Sequence, residues 1–153
     1  MKKSALLAIM LFIATQLAFP QGKYEGSFGV TVNEGWGFKF RYGNNLQFGV
    51  SQIFYQGSPL LTGIEICGHF AGKQMYGTQK AFYLLAGAGS TIFAKGYSTF
   101  EKTVIYPRVG RTINFTGHLG LNLDLGIDFL FDKALTGSLS VFPTGSAYFF
   151  FRF

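Results

Sequence analysis

Gly117 to Phe131 reads GHLGLNLDLGIDFLF, and the fold is decided by which side chains fall on alternate positions of this stretch. Leu119, Leu121, Leu123, Leu125, Ile127, Phe129 and Phe131 take the odd positions, whereas His118, Gly120, Asn122, Asp124, Gly126, Asp128 and Leu130 take the even ones. Successive side chains of an extended strand point to opposite faces, so this period of two separates an aliphatic face from one made largely of Gly, Asn and Asp. Strands of soluble sheets usually run about five or six residues, and this alternation persists well beyond that.

The same period recurs toward both ends of the chain. Phe28, Val30 and Val32 oppose Ser27, Gly29, Thr31 and Asn33, and Trp36, Phe38, Phe40 and Tyr42 oppose Gly37, Lys39, Arg41 and Gly43. Leu46, Phe48 and Val50 oppose Gln47, Gly49 and Ser51, while Ile64, Ile66 and Phe70 oppose Glu65, Cys67 and His69. At the far end Phe149, Phe151 and Phe153 oppose Tyr148, Phe150 and Arg152. Eight strands are expected, at 24–33, 35–43, 46–56, 60–71, 80–94, 104–115, 118–131 and 143–153. In the fifth, Phe82, Leu84, Ala86 and Ala88 form the expected aliphatic-side set. A three-residue turn at Gly43-Asn44-Asn45 pairs Tyr42 with Leu46, Phe40 with Phe48 and Phe38 with Val50, whereas a two-residue turn would set Arg41 beside Phe48. The same count at Thr116-Gly117-His118 pairs Phe115 with Leu119 and Ile113 with Leu121.

Composition agrees with an all-β chain. Among 153 residues there are 21 Gly and 19 Phe, with 13% charged residues and one Cys. Average usage of roughly 7% would give about 11 Gly in a chain of this length. The Gly residues follow neither a collagen period nor a linker run, and apolar residues interleave them throughout, which excludes collagen and disorder. Gly and aromatic residues are both costly inside helices.

Residues 1–21 have a different character. Lys2 and Lys3 precede the uncharged run ALLAIMLFIA at Ala5 to Ala14, continued as TQLAF before Pro20-Gln21-Gly22. This is the pattern of a secretory signal peptide, too short to span a bilayer as a helix. Residues 1–21 are therefore expected to be removed, with cleavage after Ala18 or near Gln21, leaving 22–153 as one barrel domain. No Cys follows the apolar run, so lipoprotein processing has no acceptor. Loss of Lys2 and Lys3 leaves 13 − 2 = 11 basic residues against 7 acidic ones, a balance of +4 that does not make a nucleic-acid binder. The lone Cys67 cannot form a disulfide within the chain, and it is read as a small filler.

The direction of the alternation sets the environment. In a soluble barrel the aliphatic face would point inward, but its volume exceeds what an eight-stranded interior holds. The opposite face, rich in Gly and sparing in charge, could not solvate an exterior. Inverting the barrel removes both difficulties, because large apolar residues then face lipid while Gly and a few polar groups fill a narrow lumen. Only a closed barrel satisfies every strand's backbone groups in hydrocarbon. The expected fold is an antiparallel, up-and-down, eight-stranded transmembrane β-barrel, with turns at 43–45, 72–79 and 116–118 on one side and loops at 33–35, 57–59, 95–103 and 132–142 on the other.

With this pattern the chain resembles the small outer-membrane β-barrel proteins of Gram-negative bacteria, of the outer-membrane protein A, X and W type. The specific element is the alternating aromatic end formed by Phe149, Phe151 and Phe153, although Phe150 makes it more uniformly aromatic than the family pattern requires and the outer loops are brief. The resemblance implies a location in the bacterial outer membrane, contact with outer-membrane lipids, and recognition of those three Phe residues by the barrel-assembly machinery. It also implies that the turns face the periplasm.

The inward set contains Lys39, Arg41, Glu65, Arg108, Asp124, Asp128 and Arg152, with Tyr148 beside them. Isolated buried ions are costly, so these charges are expected to pair and to plug the lumen. Parity sets Gly110 opposite Asp124 and Gly126 opposite Arg108, leaving room for diagonal contact between Arg108 and Asp124 or Asp128. Trp36, Tyr42, Tyr83, Tyr97 and Tyr106 are candidates for interfacial girdles. Arg111 falls on the lipid side, where a cation costs about 2 to 4 kcal/mol near the midplane unless it snorkels to the headgroups.

The expected role is structural or interactive, with 95–103 and 132–142 as contact surfaces and neither cofactor nor metal required. A narrow ion or water channel is the alternative. Some barrels of the resembled kind modify lipid A, a chemistry that needs a nucleophile or base near the outer rim. His118 and His69 both lie toward the turn side, so an enzyme is not expected. A secreted soluble barrel binding a lipophilic ligand is the remaining class.

Overall fold

In the computed structural model, which describes residues 24–32, 35–55, 58–95, 98–132 and 139–153, the alternation becomes eight antiparallel strands. They are β1 (Tyr24–Thr31), β2 (Gly35–Gly43), β3 (Leu46–Tyr55), β4 (Ser58–Ala71), β5 (Phe82–Lys95), β6 (Ser98–Asn114), β7 (Leu119–Asp132) and β8 (Leu139–Arg152). Each pairs with its sequence neighbours, and β1 pairs with β8 to close the barrel, from Glu25 opposite Arg152 to Thr31 opposite Ser146. Closure removes the two free edges that an open sheet would leave. The segment 1–21 and Tyr97 lie outside the described residues.

Large apolar side chains cover the outside. On β7 the outward Leu125 is 70% exposed while the neighbouring Asp124 is 4% exposed. Phe28, Phe38, Phe48, Ile64, Leu84 and Phe149 are likewise exposed, each at a strand position expected to lie on the aliphatic face. The face of β5 follows the expected parity, with Phe82, Leu84, Ala86 and Ala88 outward and Tyr83 and Leu85 buried.

Three expectations need correction. The β2–β3 register is displaced by two residues, so that Tyr42 faces Phe48 and Phe40 faces Val50. Gly43 stays in the ladder opposite Gln47 at φ +129°, a conformation that only its missing side chain makes cheap, and Asn44 and Asn45 bend the chain before Leu46 enters β3. An even displacement preserves which face each residue occupies. The 116–118 turn keeps its expected register, with Ile113 opposite Leu121 and the Phe115 amide donating to the Leu119 carbonyl at 2.9 Å.

Second, the loops expected at 57–59, 95–103 and 132–142 are shorter. β4 begins at Ser58, β6 begins at Ser98 and β8 begins at Leu139, with Lys95 opposite Ser98, Lys102 opposite Asp132 and Phe131 opposite Leu139. Backbone pairing does not require apolar side chains, so these hairpins continue beyond the point where the apolar alternation fades. Of the residues proposed as contact loops, 95, 98–103, 132 and 139–142 belong to strands, and 96–97 and 133–138 lie outside the described residues.

Third, Tyr83 and Tyr106 are lumen residues rather than members of a girdle, at 0% and 1% exposure. Their ladder partners explain the placement: Tyr83 sits opposite Gly110 and Tyr106 opposite Gly87. A Cβ added at Gly87 would lie 2.0 Å from the Tyr106 ring, and one at Gly110 would lie 2.3 Å from the Tyr83 ring. Each large side chain crosses the narrow interior through the space that a glycine leaves.

At the end that carries the short turns, residues 72–81 fold across the barrel mouth. The Asn114 side chain donates to the Tyr76 carbonyl at 2.5 Å, Gln79 donates to the Asn44 carbonyl at 2.9 Å, and the Lys80 amide donates to the Asn45 side chain at 2.9 Å. This connection is longer than the other two turns and acts as their cover.

Candidate functional site: the charged lumen

The lumen is a site assembled by parity. Because every second residue of each strand points inward, eight strands deliver polar groups to one axis, where each must find a partner or remain costly. Lys39, Arg41, Glu65, Arg108, Asp124, Asp128 and Tyr148 are all buried there, and Arg152 is half-buried near the turn end. All eight expected lumen residues thus face the interior.

They form three linked groups. Glu65 accepts from Arg41 Nε at 3.1 Å and Nη2 at 3.0 Å through one carboxylate oxygen, while Lys39 Nζ stands 3.0 Å from the other. Asp124 and Asp128 share one cation, with Arg108 Nη1 at 3.4 Å from the first and Nη2 at 3.3 Å from the second. Diagonal contact across Gly126, expected from parity, therefore reaches both acids. Asp124 also accepts from Ser146 at 2.7 Å and from the Tyr83 hydroxyl at 3.0 Å.

The third group centres on Glu25, which the sequence reading missed. Arg152 donates to Glu25 Oε2 through Nε at 3.1 Å and Nη2 at 3.0 Å, and Asn122 donates to Oε1 at 2.7 Å. Arg41 Nη1 lies 3.8 Å from the same carboxylate and joins this group to the Glu65 group. Gln79 closes the turn end by accepting from Arg152 Nη2. The signal for Glu25 was present, since extending the Ser27–Gly29–Thr31 parity back by two residues places it inward. Gln79 lies in a connection without periodicity, where no such signal exists.

Aromatic faces complete the packing. Lys39 Nζ sits 4.5 Å from the centre of the Tyr148 ring, Arg41 lies 5.8 Å from Tyr83, and Arg108 lies 5.0 Å from Tyr106. Such contacts stabilise a desolvated cation by about 0.5–2 kcal/mol each. Lys39, Arg41, Arg108 and Arg152 balance Glu25, Glu65, Asp124 and Asp128, so the network is internally neutral.

Cys67 points into the lumen and is fully buried, as expected of a filler, with its Sγ 3.6 Å from His69 Nε2. The His69 Nδ1–H donates to the Lys80 carbonyl at 2.9 Å, and Gln79 Nε2 lies 3.1 Å from Nε2. The thiol and imidazole are thus buried, with Gln79 and Lys80 of the 72–81 connection bonded against the ring. His118 is exposed at its turn, and its ring nitrogen Nδ1 lies 3.0 Å from the Arg152 carbonyl.

Phe149, Phe151 and Phe153 are exposed on one outer face, with the Phe151 and Phe153 rings edge-to-face at 4.8 Å. Trp36 and Tyr42 are also outward, at opposite ends of β2, where Trp36 stacks on Phe54 at 4.4 Å and Tyr42 packs on Tyr24 at 4.9 Å. Arg111 is outward, as parity requires, with its guanidinium 5.4 Å from the centre of the Phe82 ring.

Fold and lumen together define a class: a closed, eight-stranded antiparallel β-barrel with an apolar exterior and an ion-paired interior. Compared with protein-family models, curated proteins and solved structures, the chain matches none.

Proposed function

We propose that this chain is an integral β-barrel of a bacterial outer membrane, of the outer-membrane protein A, X and W type, with a structural or interaction role and a lumen closed by its own side chains. The observation that carries the reading is the inversion of polarity: buried carboxylates and guanidiniums alternate with exposed Leu, Ile, Val and Phe along the same strands. A soluble barrel with that exterior would carry a contiguous apolar surface of the kind that marks membrane or protein contact. In this reading residues 1–21 direct export, the turn end faces the periplasm, outer-membrane lipids surround the belt, and Phe149, Phe151 and Phe153 present the signal to the barrel-assembly machinery.

The contents of the lumen support its closure. Tyr83, Tyr106 and Tyr148, each at most 1% exposed, occupy the cross-section together with the ion pairs, and residues 72–81 cover one mouth. An eight-stranded barrel has an interior just wide enough for side chains to fill.

The test is fractionation followed by electrophoresis and bilayer recording of the full chain. The expected result is retention in the outer-membrane fraction through carbonate and high salt, faster migration of the unheated protein than the boiled one, and no steady conductance in a planar bilayer. Release without detergent overturns the membrane reading, while steady openings abolished by Asp124→Asn replace the closed lumen by a narrow channel.

A further inference from the structure

The outer surface is not uniformly filled. Arg111, Leu123, Ala147 and Val30 stand opposite one another in turn on β6, β7, β8 and β1, forming one hydrogen-bonding rung across four strands. In the next rung Leu125 faces Gly145, whose carbonyl accepts from the Val32 amide at 2.8 Å. Gly145 and Ala147 are the small members of these rungs. Between the Leu123/Leu125 ridge and the Val30/Val32 ridge they leave an apolar groove with a volume of about 570 Å³.

Its course is set by barrel geometry. Three strand spacings separate Arg111 from Val30, about 14 Å. Strands of a membrane barrel tilt about 35–45° from its axis, so a line perpendicular to them climbs obliquely through the apolar belt. Arg111 is three residues from the turn end of β6, and Val30 is one residue from the opposite end of β1. The groove therefore starts toward the turn side, with Ile113 and Phe115 between Arg111 and the 116–118 turn, and rises toward the other rim.

Arg111 supplies the second observation. Among the outward-facing strand side chains that the structure describes it carries the only charge, and no carboxylate pairs with it among the described residues. A planar guanidinium presents paired donors matched to phosphate oxygens. A second copy of the chain docked symmetrically on this groove would bring two such cations together or bury them against apolar surface.

We infer that the groove on β6, β7, β8 and β1 is a binding site for one glycerophospholipid, with an acyl chain laid along Gly145 and Ala147 and the phosphate held by Arg111. The inference rests on the membrane reading above, and it adds a fixed lipid where that reading requires only a fluid surround.

The test uses the full protein folded into vesicles of phosphatidylglycerol, extracted in mild detergent and weighed by native mass spectrometry with either phosphatidylglycerol or a diacylglycerol bearing the same acyl chains. Wild-type protein is expected to retain one phosphatidylglycerol, at least tenfold over the diacylglycerol. Arg111→Gln is expected to abolish that preference and Arg111→Lys to restore part of it, while Ala147→Phe, which fills the groove, is expected to lose the bound lipid. Equal retention of both lipids by the wild type, or unchanged retention by Arg111→Gln, overturns the inference in favour of non-selective surrounding lipid. A dimer that Ala147→Phe converts to a monomer overturns it in favour of a second copy. The gel shift on heating, recorded on the same samples, separates the two levels: a wild type that never inserts removes the membrane reading and this site together, whereas an inserted wild type without selectivity removes the site alone.

Discussion

Asp124 and Leu125 are adjacent in β7, yet one is 4% exposed among three polar partners and the other is 70% exposed. Asp124 is held by Arg108, Ser146 and Tyr83, and Gly110 stands opposite it to give the Tyr83 ring its path. Leu125 lies on the outer groove and needs only an apolar surround. The difference teaches that the inward face is specified residue by residue through pairing, while the outward face is specified by polarity alone. Inward substitutions should therefore depend on the identity of the partner, and outward ones on the medium.

The largest effect is expected at Glu65, whose carboxylate lies 3.0 Å from two fully buried cations, Lys39 and Arg41. Glu65→Gln leaves both charges without their main counter-charge, at a cost of about 3–5 kcal/mol by the usual penalty for breaking a buried pair. Urea titration of the vesicle-folded protein, read by the gel shift, measures it. Replacing all three residues by apolar ones of similar volume, Lys39→Met, Arg41→Leu and Glu65→Leu together, is expected to recover most of the loss, because the penalty arises from the unpaired charges. Arg41 also approaches Glu25, but Arg152 and Asn122 remain to satisfy that acid. A triple variant as unstable as the single one would show that the network positions the strands rather than merely neutralising itself.

On the other face the medium decides. Leu125→Arg is expected to cost about 2–4 kcal/mol in a bilayer if the position lies near the midplane, and much less in a detergent micelle that lets the guanidinium reach water. Arg111 is the native control, since it sits near the turn end. The same urea titration in vesicles and in micelles checks the contrast, and equal effects in the two media would break the distinction drawn between the faces.

Much of this was legible from alternation. The period of two in Gly117 to Phe131 identified both faces of β7, and an even-numbered register error at Gly43 did no damage because parity survives a displacement of two residues. Arg108 with Asp124 and Asp128 could be read because the 116–118 turn is tight enough to fix the register. Three features were hidden. Glu25 lay two residues beyond the point where the alternation was first counted. Tyr83 and Tyr106 looked like interfacial aromatics because a tyrosine suits a headgroup boundary as well as a polar lumen, and their Gly partners separate the two roles. Gln79 sits in the 72–81 connection, where backbone direction depends on contacts across the barrel mouth rather than on a local period.

The smallest expected effect tests the pairing of glycine with tyrosine inside the lumen. A Cβ at Gly87 meets the Tyr106 ring first, with the three nearest atoms, at 2.0, 2.1 and 2.5 Å, all belonging to that side chain. Gly87→Ala should therefore destabilise by overpacking against that ring, by about 1–3 kcal/mol. Tyr106→Val removes the obstacle but also the hydroxyl that lies 2.9 Å from Ser51 Oγ, so it carries a cost of its own. If glycine is present to admit the ring, the double variant will be more stable than the two single costs added together, with a coupling of about 1 kcal/mol or more in a double-mutant cycle. Additive costs would mean that Gly87 serves the backbone instead, and that the inward abundance of glycine reflects barrel curvature rather than room for the side chains opposite.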